Sequence, residues 1–304
     1  MLCASALLLG GPSGTPAAQA QSGAGWAGRG ATTTRPRSAS FTDAAAQDTL
    51  SELAREARGS APRPVAPWLT YWTPNFRVLH RDAAAAKVVG LRAERLRDQL
   101  LHRWTGESYP APWLKRADIY LYPTTDEMNE MTGGEAKAGS ALVRPSQLYR
   151  GRILSRRVNL AQDDRQLLEA TLPHEVTHVI LGDLLGGQIP LWANEGAAAA
   201  AETGDKQNYY GRVLRRFVLR RQTYRLVDLF AMQSYPDDPF NALFYAQSCS
   251  LVRLLLRLGS YADYLALVRT ARTSGYDVAL QQVYGLAGVT ALQRRWLAEQ
   301  RAQR

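Results

Sequence analysis

Short stretches in the first half of the chain alternate apolar and polar residues, which is the pattern of half-buried strands. Residues 75–80 and 117–122 alternate in this way, and residues 156–160 form a third, shorter stretch. Between the first two, residues 83–104 carry apolar side chains at helical spacing and predict a long helix. We therefore expect a sheet and a helix that covers it in this half of the chain.

From residue 192 onward the pattern is almost wholly helical. An earlier helix is expected to run into the 170s, with Asp163 or Asp164 as its N-cap. A strand-bearing N-terminal half followed by a helical C-terminal half predicts an α+β fold. The predicted C-terminal helices lie at residues 192–203, 206–221, 241–258, 261–273, 277–284 and 288–302.

The first 67 residues predict a targeting segment and a linker. In residues 1–20 an apolar run leads to Ala18-Gln19-Ala20, which is typical of a secretory signal peptide and predicts a secreted or periplasmic protein at the cell envelope. The alternative is an alanine-rich disordered leader. Residues 21–67 are rich in small residues, proline and arginine and predict a disordered linker. The folded domain is expected at residues 68–304, with the sheet and the helix that runs into the 170s in 68–185 and the helical part in 186–304.

Charge narrows the choice of partners. The chain has 304 residues, of which 46% are apolar, and a formal charge of +10. No apolar run reaches the roughly 18–20 residues that a spanning helix needs. The positive excess predicts a solvated basic surface or electrostatic contact with an anionic envelope surface. Nucleic acid is not expected, because no zinc knuckle or RNP-like motif accompanies the arginines.

The two cysteines are Cys3 and Cys249. We expect Cys249 to be a small buried hydrophobe.

Residues 173–179 (Pro-His-Glu-Val-Thr-His-Val) contain the motif H-E-x-x-H. His174 and His178 lie one turn apart on the same face of a helix, so both imidazoles can bind one metal ion. Glu175 is then placed to accept a proton from the attacking water. Because Pro173 removes a backbone donor, the helix is expected to start or kink there. The alternative is an amphipathic helix with polar residues on its wet side.

A catalytic zinc usually has three protein ligands. The other histidines, His80 and His102, lie far upstream, whereas Glu195 follows a turn that contains Gly186-Gly187. A helix that begins near residue 192 and packs antiparallel to the first can direct Glu195 at the histidine pair. The alternative is that Glu195 is only an acid favoured by the helix dipole.

The two motifs together, H-E-x-x-H and then W-A-N-E-G-x-A at residues 192–198, resemble the gluzincin zinc metallopeptidases and most closely the peptidase MA-like family. The resemblance runs from about residue 75 to 256. It implies a thermolysin-like core, in which a small N-terminal mixed sheet carries the active-site helix and an all-helical part follows. It also implies one Zn²⁺ on His174, His178 and Glu195, with Glu175 as general base, and a peptide or protein substrate. Residues 156–160 would be the edge strand, to which an extended substrate could add.

Two roles stay open within this resemblance. Relatives place an aspartate four residues after the glutamate ligand, where this chain has Ala199; Asp183 could replace it or be a solvated acid. The oxyanion needs a further donor, for which Tyr245 is the candidate, with a buried core tyrosine as the alternative. The residues not excluded from this role are Tyr209, Tyr210, Tyr224 and Arg253.

The motifs predict a zinc metallopeptidase. One alternative is a catalytically inactive, zinc-bearing module that binds peptides at the cell envelope. Another is a basic surface adaptor in which the motif is a coincidence.

Overall fold

Five strands form one mixed sheet in the part of the chain that the structure, a computed structural model, describes: residues 67–133, 139–145, 153–187 and 189–302. The strands are β1 (Leu69–Trp72), β2 (Phe76–His80), β3 (Ala117–Tyr122), β4 (Gly139–Pro145) and β5 (Ile153–Ala161). Their order is β1-β2-β3-β5-β4. β2, β3 and β5 run parallel, while β1 and β4 pair antiparallel at the two edges. The predicted signal peptide and linker lie outside the described residues.

The described residues also form nine α-helices, and most of them follow the sheet. They are α1 (Ala83–Thr105), α2 (Thr125–Thr132), α3 (Leu172–Leu185), α4 (Leu191–Ala201), α5 (Asp205–Leu219), α6 (Leu226–Ala231), α7 (Phe240–Leu258), α8 (Tyr261–Tyr284) and α9 (Gly288–Ala302). A π-helical turn at Leu167–Thr171 leads into α3. The α+β class is therefore confirmed, with the sheet first and the helices after it.

The two-residue period of the strands is the reason that the sheet has a buried face. In β2, Phe76 and Val78 are buried while Arg77 and Leu79 are half-buried, and residues 117–121 of β3 repeat the alternation. Helices α1 and α3 pack on the sheet and on each other. Most buried apolar residues of the sheet and the helices form one continuous cluster, so the sheet and the helical part share a core.

Several predictions about single elements need correction. Residues 156–160 are not an edge strand: β5 lies between β3 and β4, and β4 is the edge. The helical spacing of α1 predicts that Val88 and Leu91 share the apolar face with Leu96, Leu100 and Leu101. Val88 and Leu91 are instead exposed, and Val89 and Ala93 face the core. The two predicted helices 261–273 and 277–284 are one helix, α8, bent at Gly275, whose φ of 79° is a conformation that glycine adopts readily.

No helix among the described residues is long and apolar enough to cross a membrane.

Candidate metal centre

The site is built where α3 and α4 meet. α3 begins at Leu172 with Pro173 in its first turn, as the sequence predicts, because a proline there loses no helical hydrogen bond. The helix ends at Gly186, which adopts a φ of 72° and closes the helix with its backbone N–H. Gly187 also has a positive φ, and α4 starts four residues later. This tight reversal lays α4 against α3 and brings Glu195 to the two histidines.

Three ligand atoms converge between the two helices. His174 Nε2 and His178 Nε2 lie 3.0 Å apart. Glu195 Oε2 is 3.4 Å from the first nitrogen and 3.7 Å from the second. All three residues are buried, and His178, the most exposed, has only 4% of its surface accessible. Among the described residues this trio is the cluster whose donor atoms could hold a metal ion.

His174 is also held from the side that faces away from the cluster. His174 Nδ1 lies 2.6 Å from Glu202 Oε1, and the Tyr210 hydroxyl donates to the same carboxylate at 3.2 Å. Glu202 is buried and caps the C-terminal end of α4. A carboxylate on the far nitrogen of a ligating histidine fixes the orientation of the ring and its tautomer. The sequence analysis missed Glu202, although it lies seven residues, or two helical turns, after Glu195.

Asp183, the residue that the sequence analysis considered for this support, has another partner. Its carboxylate accepts a hydrogen bond from Arg156 Nε at 2.8 Å, and Arg156 also donates to the Lys115 carbonyl. Burial raises the pKa of Asp183 although Arg156 acts against this shift. Asp183 therefore ties α3 to β5, and the support of His174 comes from Glu202.

Tyr235 is a second residue that the sequence analysis missed. It lies between α6 and α7, and its hydroxyl donates to Glu195 Oε1 at 2.7 Å. The other oxygen, Oε2, faces the imidazoles and accepts no hydrogen bond from the described residues. No periodic pattern marks Tyr235, because it stands outside the helices.

Tyr245, the predicted oxyanion donor, is buried beside Tyr235. Its ring stacks on Tyr235 with centroids 6.2 Å apart and lies 6.5 Å from the ring of His174. Burial raises the pKa of Tyr235, and a hydrogen bond with the Tyr245 hydroxyl acts against this shift, which is the effect of a donor. The structure thus brings Tyr245 to the site, with Tyr235 between it and Glu195.

The other predicted candidates make different contacts. Tyr210 holds Glu202, as described above, while Tyr209 packs on Tyr210. The Tyr224 backbone is bound by the side chain of Gln247. Arg253 lies on α7 at a cavity described below. His80, buried in β2, and His102, on the exposed side of α1, are not part of the cluster.

The buried charges perturb one another strongly. Burial acts to lower the pKa of His174, but the carboxylates of Glu195 and Glu202 outweigh it and raise the pKa to about 10. Burial lowers the pKa of His178 to about 4, and the charge on His174 adds to this effect. Burial acts to raise the pKa of Glu195, but the two imidazoles hold it below its usual value. A neutral His178 and an ionised Glu195 are the forms that bind metals.

Glu175 completes the site. It is fully buried on α3, between the two histidines in sequence. Its charge raises the pKa of both His174 and Tyr235, so its carboxylate lies within electrostatic reach of both. The H-E-x-x-H motif therefore places an acid beside the cluster without making it one of the three converging ligands.

No protein-family model matches this chain, and no curated protein is significantly similar to it. The functional argument therefore depends on the residues of the two motifs and on the geometry of the cluster.

Proposed function

We propose that the protein is a zinc-dependent metallopeptidase of the gluzincin type, which hydrolyses peptide bonds in a peptide or protein substrate. The observation that carries this proposal is the convergence of His174 Nε2, His178 Nε2 and Glu195 Oε2 beside a buried Glu175. The thermolysin-like core is part of the same proposal. Location outside the cytoplasm is proposed from residues 1–20 alone.

The donor set fits zinc. Tetrahedral coordination with bonds of about 2.0–2.1 Å separates the ligand atoms by about 3.3–3.4 Å. The three separations here are 3.0, 3.4 and 3.7 Å, and they bracket that value. Two imidazoles and one carboxylate, with a fourth position left for water, are also a common catalytic set for this ion. A cation would satisfy Glu195 Oε2, which is buried and accepts no hydrogen bond from the described residues.

The chain's own residues would divide the work in the following way. Zinc, when bound, would supply a Lewis acid that lowers the pKa of a water molecule and polarises the scissile carbonyl. Glu175 would accept the proton of the attacking water on a carboxylate oxygen and pass it to the leaving amine nitrogen. Glu202 would accept from His174 Nδ1–H and so leave the Nε2 lone pair for the metal. Tyr245 is the proposed donor to the oxyanion, and Tyr235 would orient Glu195.

One observation favours the alternative of an inactive, zinc-bearing peptide-binding module. His174, Glu175 and Glu195 have no accessible surface, whereas a catalytic site must admit its substrate to the open coordination position of the metal. Under the alternative, the fold binds zinc and peptide but has no turnover.

The experiment compares wild type, Glu175→Gln and the control Glu169→Gln. Glu169 lies just before α3 and is exposed, so its substitution removes the same charge without touching the cluster. Zinc content, peptide binding and cleavage of a denatured protein are measured for each form. We expect equal zinc in all three, normal cleavage by Glu169→Gln, and a loss of about 100- to 10,000-fold in Glu175→Gln.

Two results would decide against the proposal. If Glu175→Gln binds zinc and cleaves as fast as wild type, Glu175 is not the general base. If wild type binds zinc and peptide but cleaves no denatured protein, the binding module is the better description.

A further inference from the structure

A cavity separate from the metal cluster lies in the helical part, between α5, α7 and α9. Its volume is about 520 Å³, which falls in the range of about 300–1,000 Å³ typical of small-molecule sites. Tyr210, Leu214 and Cys249 are buried residues that line it. Burial raises the pKa of Cys249 to about 12, so the thiol remains neutral and is not a nucleophile.

The charged lining of this cavity is mostly positive. Four arginines line it, Arg212 and Arg215 on α5 and Arg253 and Arg257 on α7, and all four are exposed to solvent. One carboxylate, that of Glu299 on α9, pairs with Arg257. Arg212, Arg215 and Arg253 make no hydrogen bond or ion pair with any residue that the structure describes. Three positive charges are therefore left without a protein counter-charge around one concave space.

Placing these arginines together opposes helix stability. Arg212 and Arg215 are three residues apart on α5, and Arg253 and Arg257 are four apart on α7, which are the spacings at which like charges on a helix repel. A bound anion would remove that repulsion. Guanidinium is also the side chain that matches the planar geometry of phosphate and carboxylate groups, with two parallel hydrogen bonds to each.

We propose that this arginine cavity binds a small multivalent anion through phosphate or carboxylate groups. The space exceeds that of a single oxyanion and fits a molecule that carries two or more. The polar residues Ser250 and Gln300 also line the cavity and offer hydrogen bonds to the uncharged part of such a ligand. This binding does not depend on peptidase activity.

The arginine cavity borders the metal centre. Tyr210 lines the cavity and donates to Glu202, which holds His174. Gln207, also in the lining, donates to the backbone carbonyls of Ala199 and Glu202 at 2.6 and 2.9 Å. An anion in the cavity would therefore lie next to the residues that fix the end of α4.

The test is a calorimetric titration of the full chain with pyrophosphate and with tricarballylate, at constant ionic strength. The variants are Arg215→Gln and Arg253→Gln, and the matched control is Arg216→Gln. Arg216 follows Arg215 on α5 but lines a different, more apolar groove, so its loss changes the net charge equally. The variants also distinguish binding in the cavity from binding of pyrophosphate to a metal ion, because the latter would not depend on Arg215 or Arg253.

We expect saturable binding of one anion per chain. Each cavity variant should weaken it by about ten- to hundred-fold, the effect of losing one charged hydrogen-bond partner, while Arg216→Gln stays within about two-fold of wild type. Tighter binding of pyrophosphate identifies a phosphate-bearing ligand, and tighter binding of tricarballylate identifies a polycarboxylate. Equal weakening in all three variants would mean general charge attraction and would overturn the proposal, as would the absence of saturable binding of both probes.

Discussion

Gly196, the residue after the proposed ligand Glu195, has a packing role that can be tested by adding one methyl group. A Cβ at this position would lie 2.6 Å from the backbone oxygen of Ser248 and 2.7 Å from Val252 Cγ2. Both atoms belong to α7, and one of them is backbone, so neither a rotamer change nor a small shift relieves the clash. Gly196 thus permits the close approach of α4 to α7 that positions Glu195.

The magnitude for Gly196→Ala follows from two opposing effects. Overpacking a dense interior costs about 1–3 kcal/mol, and contact with backbone atoms argues for the upper end, about 3 kcal/mol. Alanine is more favourable than glycine within a helix by about 1 kcal/mol. The variant should therefore lose about 2 kcal/mol, which lowers Tm by about 4–8 °C in a domain of this size. Metal affinity should fall as well, because Glu195 moves with the helix.

Gly211→Ala on α5 is the matched control. A Cβ there meets no atom within 4 Å, so only the helical preference remains and stability should rise by about 1 kcal/mol. Thermal and urea unfolding of both variants should therefore differ by about 3 kcal/mol, the cost of the clash alone. Two variants of equal stability would refute the close packing of α4 on α7, and with it this account of how Glu195 is positioned.

Further predictions concern the residues around the cluster. Glu202→Gln should weaken zinc binding by about 10- to 100-fold, as loss of the partner of a ligating histidine does. Asp183→Asn should leave zinc binding unchanged. If a competition assay with a chelator shows equal effects for the two variants, Glu202 is not the specific support of His174. Tyr245→Phe should lower turnover by about 100- to 1,000-fold with zinc still bound. Tyr235→Phe should mainly weaken zinc binding. If steady-state kinetics show instead that Tyr235→Phe lowers turnover with zinc still bound, while Tyr245→Phe does not, Tyr235 is the oxyanion donor.

The parts of the site that could be predicted are those fixed by helix geometry. Two histidines four residues apart share one face of any α-helix, and the glycines after α3 make a reversal that returns the chain to them. The three parallel strands β2, β3 and β5 were also predicted, because their alternation has a short period. Local sequence was sufficient wherever one element, or two joined by a tight turn, set the geometry.

The remainder depends on contacts between elements that are distant in sequence. Tyr235 reaches Glu195 from a segment forty residues downstream, and no spacing rule links the two. Asp183 was one of two open readings for the support of His174, because it is near in sequence, but its carboxylate is held by Arg156. The edge strand β4 has a glycine at its start and a proline at its end, residues that are depleted in strands, so its pattern did not distinguish it from a loop.

These contacts show what the helical part adds to the motif helix. α3 alone supplies both imidazoles and Glu175, but their surroundings come from other elements: Glu202 from the end of α4, Tyr210 from α5, and Tyr235 from the segment before α7. Each contact is a hydrogen bond to a buried group, whose loss leaves an unsatisfied polar atom in the interior. Substitutions in the helical part should therefore reach the metal centre through Glu195 and Glu202, whereas exposed positions of the sheet should have no effect on it.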